Sequence, residues 1–156
     1  MNYSEDEQGL TKILDNIINS TAGLKHAIII DDTGITIISR SKFNLSKSDD
    51  ISVEKIGAIG GAVFIAGEEQ GQILGYEDIA LQITEYSKGM IFSVKAGKGI
   101  LCVATDVNVQ IGFIRALLKK WAPQIAKILE HHLQSDQGKV DKDLKELMSS
   151  DSLSFL

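Results

Sequence analysis

The apolar residues change period several times along the chain, and each change marks an element. Leu10, Ile13, Leu14 and Ile17 recur at helical spacing, which predicts an amphipathic helix over 5–22. Ser4 with Glu7 three positions on has the form of a capping box, and Glu5 and Asp6 suit the positive end of a helix dipole. Gly23 is placed to end this helix. The period then collapses: Ala27-Ile28-Ile29-Ile30 and Ile35-Thr36-Ile37-Ile38 are continuous apolar runs around the turn Asp31-Asp32-Thr33-Gly34. Such runs read as a hairpin whose strands are covered on both faces.

Residues 41–50 are polar, with Ser48, Asp49 and Asp50 as N-cap candidates for a second helix over 50–73. Ile56, Ile59, Val63, Ala66 and Leu74 lie on one arc of it. Gly57, Gly60, Gly61, Gly67 and Gly71 also fall inside this helix. An interior glycine costs about 1 kcal/mol relative to alanine, so five of them require a reason. Gly57, Gly60, Gly61 and Gly71 cluster with Phe64 on a flank beside the apolar arc, where small residues would let another backbone approach closely.

Three strands are expected next. Ile79, Leu81 and Ile83 alternate with Ala80, Gln82 and Thr84, the pattern of a half-buried strand. Turns at Ser87-Lys88-Gly89 and Gly97-Lys98-Gly99 lead into Met90–Val94 and Ile100–Ala104, an antiparallel meander. A last helix is predicted over 108–133, with Ile111, Ile114, Leu117, Leu118, Trp121, Ile125, Ile128 and Leu129 on its inner face. Pro123 falls on the outer face, where it should bend the helix around the core. The chain therefore divides into a domain over 5–134 and a polar tail over 135–156, in which Ser135–Gly138 reads as a linker. Val140, Leu144, Leu147 and Met148 are placed for one short amphipathic helix in that tail.

Composition narrows the function more than the fold. The chain has 156 residues, of which 44% are apolar, and a net charge of −5, enough for one packed core. Acidity excludes nucleic acid as the expected partner, because a phosphate backbone needs a clustered basic surface. The acidic start has no apolar leader region, and no apolar run approaches the ~20 residues of a membrane span. With Cys102 the single cysteine, no internal disulfide can form, and a cytoplasmic location without membrane insertion is expected.

Candidate chemistry is sparse, and no catalytic residue, cofactor or metal site is expected. Gly57-x-x-Gly60-Gly61 sits within a helix rather than at a strand-to-helix turn, so it is not a phosphate loop. Adjacent His131 and His132 point about 100° apart on a helix and lack the spacing of paired metal ligands; the end of the helix dipole accounts for them. Cys102 lies in a central strand as a small hydrophobe, and Asp31 and Asp32 are turn residues. Trp121 belongs with the core, and Arg115, Lys119, Lys120 and Lys127 form a solvated stripe.

The element order is α-β-β-α-β-β-β-α, of the α+β class. Gly23-Leu24-Lys25-His26-Ala27-Ile28-Ile29-Ile30-Asp31-Asp32-Thr33-Gly34, a loop, an apolar strand and an acidic-x-Gly turn, resembles the same stretch of the Roadblock/dynein light chain family. Ile100-Leu101-Cys102-Val103-Ala104 followed by the helix start at Asn108–Arg115 resembles that family's last strand and helix. The likeness covers about residues 5–133. It implies a five-stranded antiparallel sheet with helices on both faces, the glycine-rich helix alone on one of them. It also implies dimerisation, as a homodimer or with a paralogue, through the second helix and third strand. The interface residues expected on that ground are Gly57, Gly60, Gly61, Phe64, Gly71, Ile79, Leu81 and Ile83. The function implied is regulation or scaffolding of a small Ras-like GTPase, with a non-catalytic adaptor or motor light chain as the alternative.

Overall fold

The computed structural model describes residues 3–42 and 52–154, so the N-cap candidates Ser48, Asp49 and Asp50 lie outside the described residues. The elements run α1 (Tyr3–Ile18), β1 (Leu24–Ile30), β2 (Thr36–Ser41), α2 (Val53–Leu74), β3 (Gln82–Tyr86), β4 (Gly89–Ala96), β5 (Gly99–Thr105) and α3 (Ile111–Ser154). Five antiparallel strands form one sheet in the order β2-β1-β5-β4-β3. This is the expected α+β order, with α1 and α3 on one face of the sheet and α2 on the other.

Strand pleating explains the two cores. In β1, Ala27 and Ile29 point to the side where Leu10, Leu14, Ile17, Phe92, Ile114, Leu118 and Ile125 close the main core. Ile28 and Ile30 point the other way, into a smaller cluster with Phe64, Ile100 and Cys102 under α2. The continuous apolar run thus belongs to a strand buried on both faces. Leu14, Ile17, Ile114, Leu118 and Ile125 are fully buried, as their helical spacing requires. Ile111 is exposed instead, because the helix starts there beyond the sheet's cover.

Several boundaries moved for local reasons. The first helix starts at Tyr3, which places Ser4 within it; the side chain of Ser4 lies outside the described residues. It ends at Ile18, where the Ser20 hydroxyl donates to the Ile17 carbonyl at 2.6 Å. Gly23 is not its cap: a Cβ there would stand 2.8 Å from Asp106 Oδ1, so glycine serves a close passage of two loops. Ser52 caps α2, accepting from the Lys55 amide at 3.3 Å, and Gly75, at φ 71°, closes it. Ile79 precedes β3 rather than belonging to it, because its amide donates to Glu68 Oε2 at 3.0 Å instead of to a strand. Finally, α3 has no linker; it is helical from Ile111 through Ser135–Gly138 to Ser154, with the Pro123 ring exposed on its outer side.

The seat of α2 is set by small residues. A Cβ on Gly61 would lie 3.1 Å from the Gly34 Cα in the β1–β2 turn, and one on Gly57 would collide with the Thr36 hydroxyl. That turn is itself tied by Asp31, whose Oδ1 accepts from the Thr33 amide (2.8 Å), the Thr33 hydroxyl (2.6 Å) and the Ile35 amide (2.9 Å). Burial pushes the Asp31 carboxyl up, but the hydrogen bonds from the Thr33 side chain and from the amides of Ile35, Thr33 and Gly34 outweigh it and hold the pKa below its ordinary value.

These contacts carry two measurable consequences. Gly61→Val should lower the unfolding free energy by about 2 kcal/mol through overpacking against the turn, while Ala62→Val, on the exposed side, should change it by less than about 0.5 kcal/mol; urea titration of both variants checks this. Because the Asp31 pKa is depressed on folding, its charge stabilises the fold above the ordinary carboxylate range, and that contribution is lost as pH falls through the folded value. Asp31→Asn should therefore lower the urea midpoint at pH 7 and show a flatter decline below about pH 4 than the parent chain.

Candidate functional site

The third strand ends the sheet: it pairs with β4 on one side and with no described strand on the other. An open row of N–H and C=O groups recruits another strand unless something covers it. Period-two alternation turns Gln82, Thr84 and Tyr86 of this strand toward the α2 side, next to Ile91 and Ser93 of β4 and Cys102 of β5.

That side is only half roofed. The second helix packs on β1, β2 and β5, leaving the β3–β4 half open. Ile56, Ile59, Gly60 and Val63 face the open half, and with the strand residues they line a hollow of about 220 Å³. Its walls are apolar and its rim is wet: Ile59 is 64% exposed and Tyr86 55%. Apolar hollows beside strand edges are the kind of surface to which protein segments add.

Only part of the expected interface is at this site. Gly57, Gly61 and Phe64 are buried against the chain's own sheet. Gly71 abuts the carbonyl of Glu77, at 2.6 Å from its notional Cβ. The smallness of Gly57 and Gly61 admits the helix to its own sheet, and that of Gly71 admits the segment leading to β3, so no partner helix is needed to account for them. Ile79 and Leu81 lie before β3 and pack, half-buried, against the two cores. Gly60 stays at the hollow, where a Cβ added to it would lie 3.8 Å from Cys102 Sγ, and Ile83 is exposed on the edge strand. Sequence reasoning put Ile56, Ile59 and Val63 on one apolar arc of the helix without saying what that arc meets, and did not single out Thr84, Tyr86 or Ile91 as site residues. The available signal was the glycine row itself, since the thin side of a helix is the side that can sit low on a sheet.

No reactive group sits in the hollow. Cys102 is buried, and burial pushes its thiol above the usual range, although a hydrogen bond from Ser93 at 3.5 Å pulls the other way. His26 is bound to the Ser41 hydroxyl at 2.7 Å, and burial, then Lys25, lowers its pKa. The adjacent His131 and His132 behave differently from expectation. Both Nδ1 atoms converge on Oδ2 of buried Asp6, at 3.0 and 3.8 Å. They join α3 to α1; no dipole end lies there, because the helix runs on. Trp121 packs on the main core, with the Lys120 ammonium 5.0 Å from its ring centre. Among the described residues, no three His, Cys, Asp or Glu side chains group as metal ligands. None of the described helices is long and apolar enough to cross a membrane.

Comparison with known proteins places this geometry. No family model matches the chain. It is 32% identical over 108 residues to the uncharacterized protein MJ0714 of Methanocaldococcus jannaschii, a match spanning 69% of this chain and 86% of that protein. Among solved structures it is similar to the gliding protein mglB from Thermus thermophilus, with a TM-score of 0.74 at 15% identity over 84% of this chain and 96% of that one. A Roadblock/LC7 domain from Streptomyces avermitilis superposes with a TM-score of 0.67 at 13% identity over 76% of this chain and 96% of the other. At these identities the structural likeness is one of fold.

Proposed function

This chain belongs to one family with MJ0714 of M. jannaschii and has the Roadblock/LC7 fold, and from that premise we propose that it is a dimeric regulator or scaffold of a small Ras-like GTPase. The observation that carries the dimer is the β3 edge, which no described strand pairs, lying beside exposed Ile59, Val63 and Tyr86. Two copies related by a two-fold axis would pair β3 with β3 and close each hollow with the partner's α2 flank. The contact is isologous, so it closes on itself. Fully burying side chains of this size is worth about 1.5–3 kcal/mol each, and a continuous sheet would satisfy the edge amides of both chains. Ile83, exposed on that edge, would be covered with them; a paralogue with the same edge could replace the second copy.

The GTPase assignment rests on the fold, and the chain's own residues constrain how it would act. Its two arginines are Arg40 and Arg115. Arg40 is held by Asp15 at 2.8 Å, and Arg115 stands on α3, on the sheet face opposite the hollow. Neither is placed beside the proposed joint of the dimer as an arginine finger, so stimulation of hydrolysis would come from reshaping the GTPase's own switch segments. An apolar hollow flanked by an open strand edge suits a binding role with no chemistry of its own.

Sedimentation should give a mass of twice 17.0 kDa for the parent chain, and Val63→Glu should shift it to the monomer, because a carboxylate would be buried without a partner. In pull-downs against small Ras-like GTPases loaded with GDP or a GTP analogue, the parent should prefer one nucleotide state and the monomeric variant should lose at least tenfold in affinity. Equal capture of both states would move the protein to a passive adaptor, and capture of no GTPase would reject the assignment. Arg115→Ala should leave any stimulation of hydrolysis unchanged.

A further inference from the structure

The second helix shelters another hollow, which the proposed dimer does not use. The C-terminal half of α2 and the β4–β5 turn enclose about 730 Å³, with Phe64, Ile65, Ile73 and Ile100 among the lining side chains. It shares no lining residue with the hollow beside β3. Apolar cavities of roughly 300–1,000 Å³ with a few polar groups are the size that small organic ligands occupy.

One of its polar groups is out of balance. Glu68 follows buried Phe64 by four residues and buried Gly61 by seven, so it shares their sheet-facing side of the helix, and it lines the hollow. Its Oε2 accepts from the Ile79 amide at 3.0 Å. Its Oε1 is closed to solvent and has no hydrogen-bond donor among the described residues. A buried acceptor left unpaired is costly and rare. Holding the Ile79 amide does not account for a carboxylate, because the neutral oxygen of a glutamine would hold it as well. The chain's own cations do not answer the orphan oxygen. Lys95 and Lys98 line the β4–β5 wall, yet neither is ion-paired with Glu68. With Asp32 and Glu69 also lining the hollow, carboxylates outnumber ammonium groups there by three to two.

We propose that this hollow binds a small amphiphilic cation, with an ammonium group donating to the Glu68 carboxylate and an apolar body lying along Phe64, Ile65, Ile73 and Ile100. The terminal torsion of a glutamate is soft, so either oxygen can face the ligand while the other keeps the Ile79 amide. A bond between charged partners in apolar surroundings is stronger than a neutral one. The apolar body would also cover Ile73, which is 86% exposed. Because the β3 edge takes no part, the site is independent of the dimer.

The test titrates the full chain with n-octylammonium, n-octanol and n-octanoate at neutral pH and follows the backbone amide resonances. Octylammonium should bind at least tenfold more tightly than octanoate, with the largest shifts at Gln72, Ile73 and Gly97–Ile100. Glu68→Gln keeps an acceptor for the Ile79 amide and removes the charge. It should weaken octylammonium at least tenfold while octanol, which also reports that the variant is folded, changes less than twofold. Ile73→Ser, at an exposed position, should weaken octylammonium and octanol alike. Failure of octylammonium to bind, octanoate binding as tightly, or octylammonium affinity unchanged in Glu68→Gln would each overturn the proposal. Shifts centred on Thr84, Tyr86 and Ile91 would overturn it too, because the cation would then sit in the hollow beside β3.

Discussion

The glycine row of α2 resting on Ile30, Gly34 and Thr36 is the contact from which the rest of the molecule's surface follows. A helix with ordinary side chains would stand higher above the sheet and spread across more strands. With Gly57 and Gly61 at the contact, the helix axis sinks onto β1, β2 and β5. Helix propensity opposes this by about 1 kcal/mol per glycine, and the small core around Phe64, Ile30, Ile100 and Cys102 offsets it. The low, lateral seat bares the β3–β4 half of the sheet and turns Ile59 and Val63 outward.

The two faces of the sheet therefore have different roles. On the α1/α3 face, nearly all the large buried side chains interlock, and the Asp6 carboxylate with His131 and His132 joins the two helices away from the sheet. This face is a foundation. The α2 face is thinly covered, and its two open hollows lie on either flank of the same helix. A single short row of small residues thus leaves two apolar hollows, one continuous with a strand edge and one bounded by a turn. Neither offers a nucleophile, a metal cluster or an activated acid among the described residues, and both have the apolar lining that suits contact with other proteins.

The physical origin of each misreading is instructive. Ile56, Ile59 and Val63 follow a helical period as faithfully as Leu10, Leu14 and Ile17, yet the first set lines an open hollow and the second is buried. Periodicity reports that a helix has an apolar side; it does not report whether that side meets the same chain. Ile79 alternates correctly for a strand, but its amide is taken by Glu68, a contact eleven residues away that no local pattern contains. Ser135–Gly138 has a linker's composition and is helical all the same, because nothing in it forbids propagation from the long helix before it.

By itself, the order of residues determined the eight elements, the turn at Asp31–Gly34 and the burial of β1 on both faces. These depend on periods of two and 3.6 and on turn chemistry, all of them readable within a short window. Only the tertiary structure decided which side of α2 faces inward, where β3 begins, and that two neighbouring histidines share one aspartate. Each of those was settled by a contact between residues far apart in sequence, where packing chooses between alternatives that local energetics leave equal.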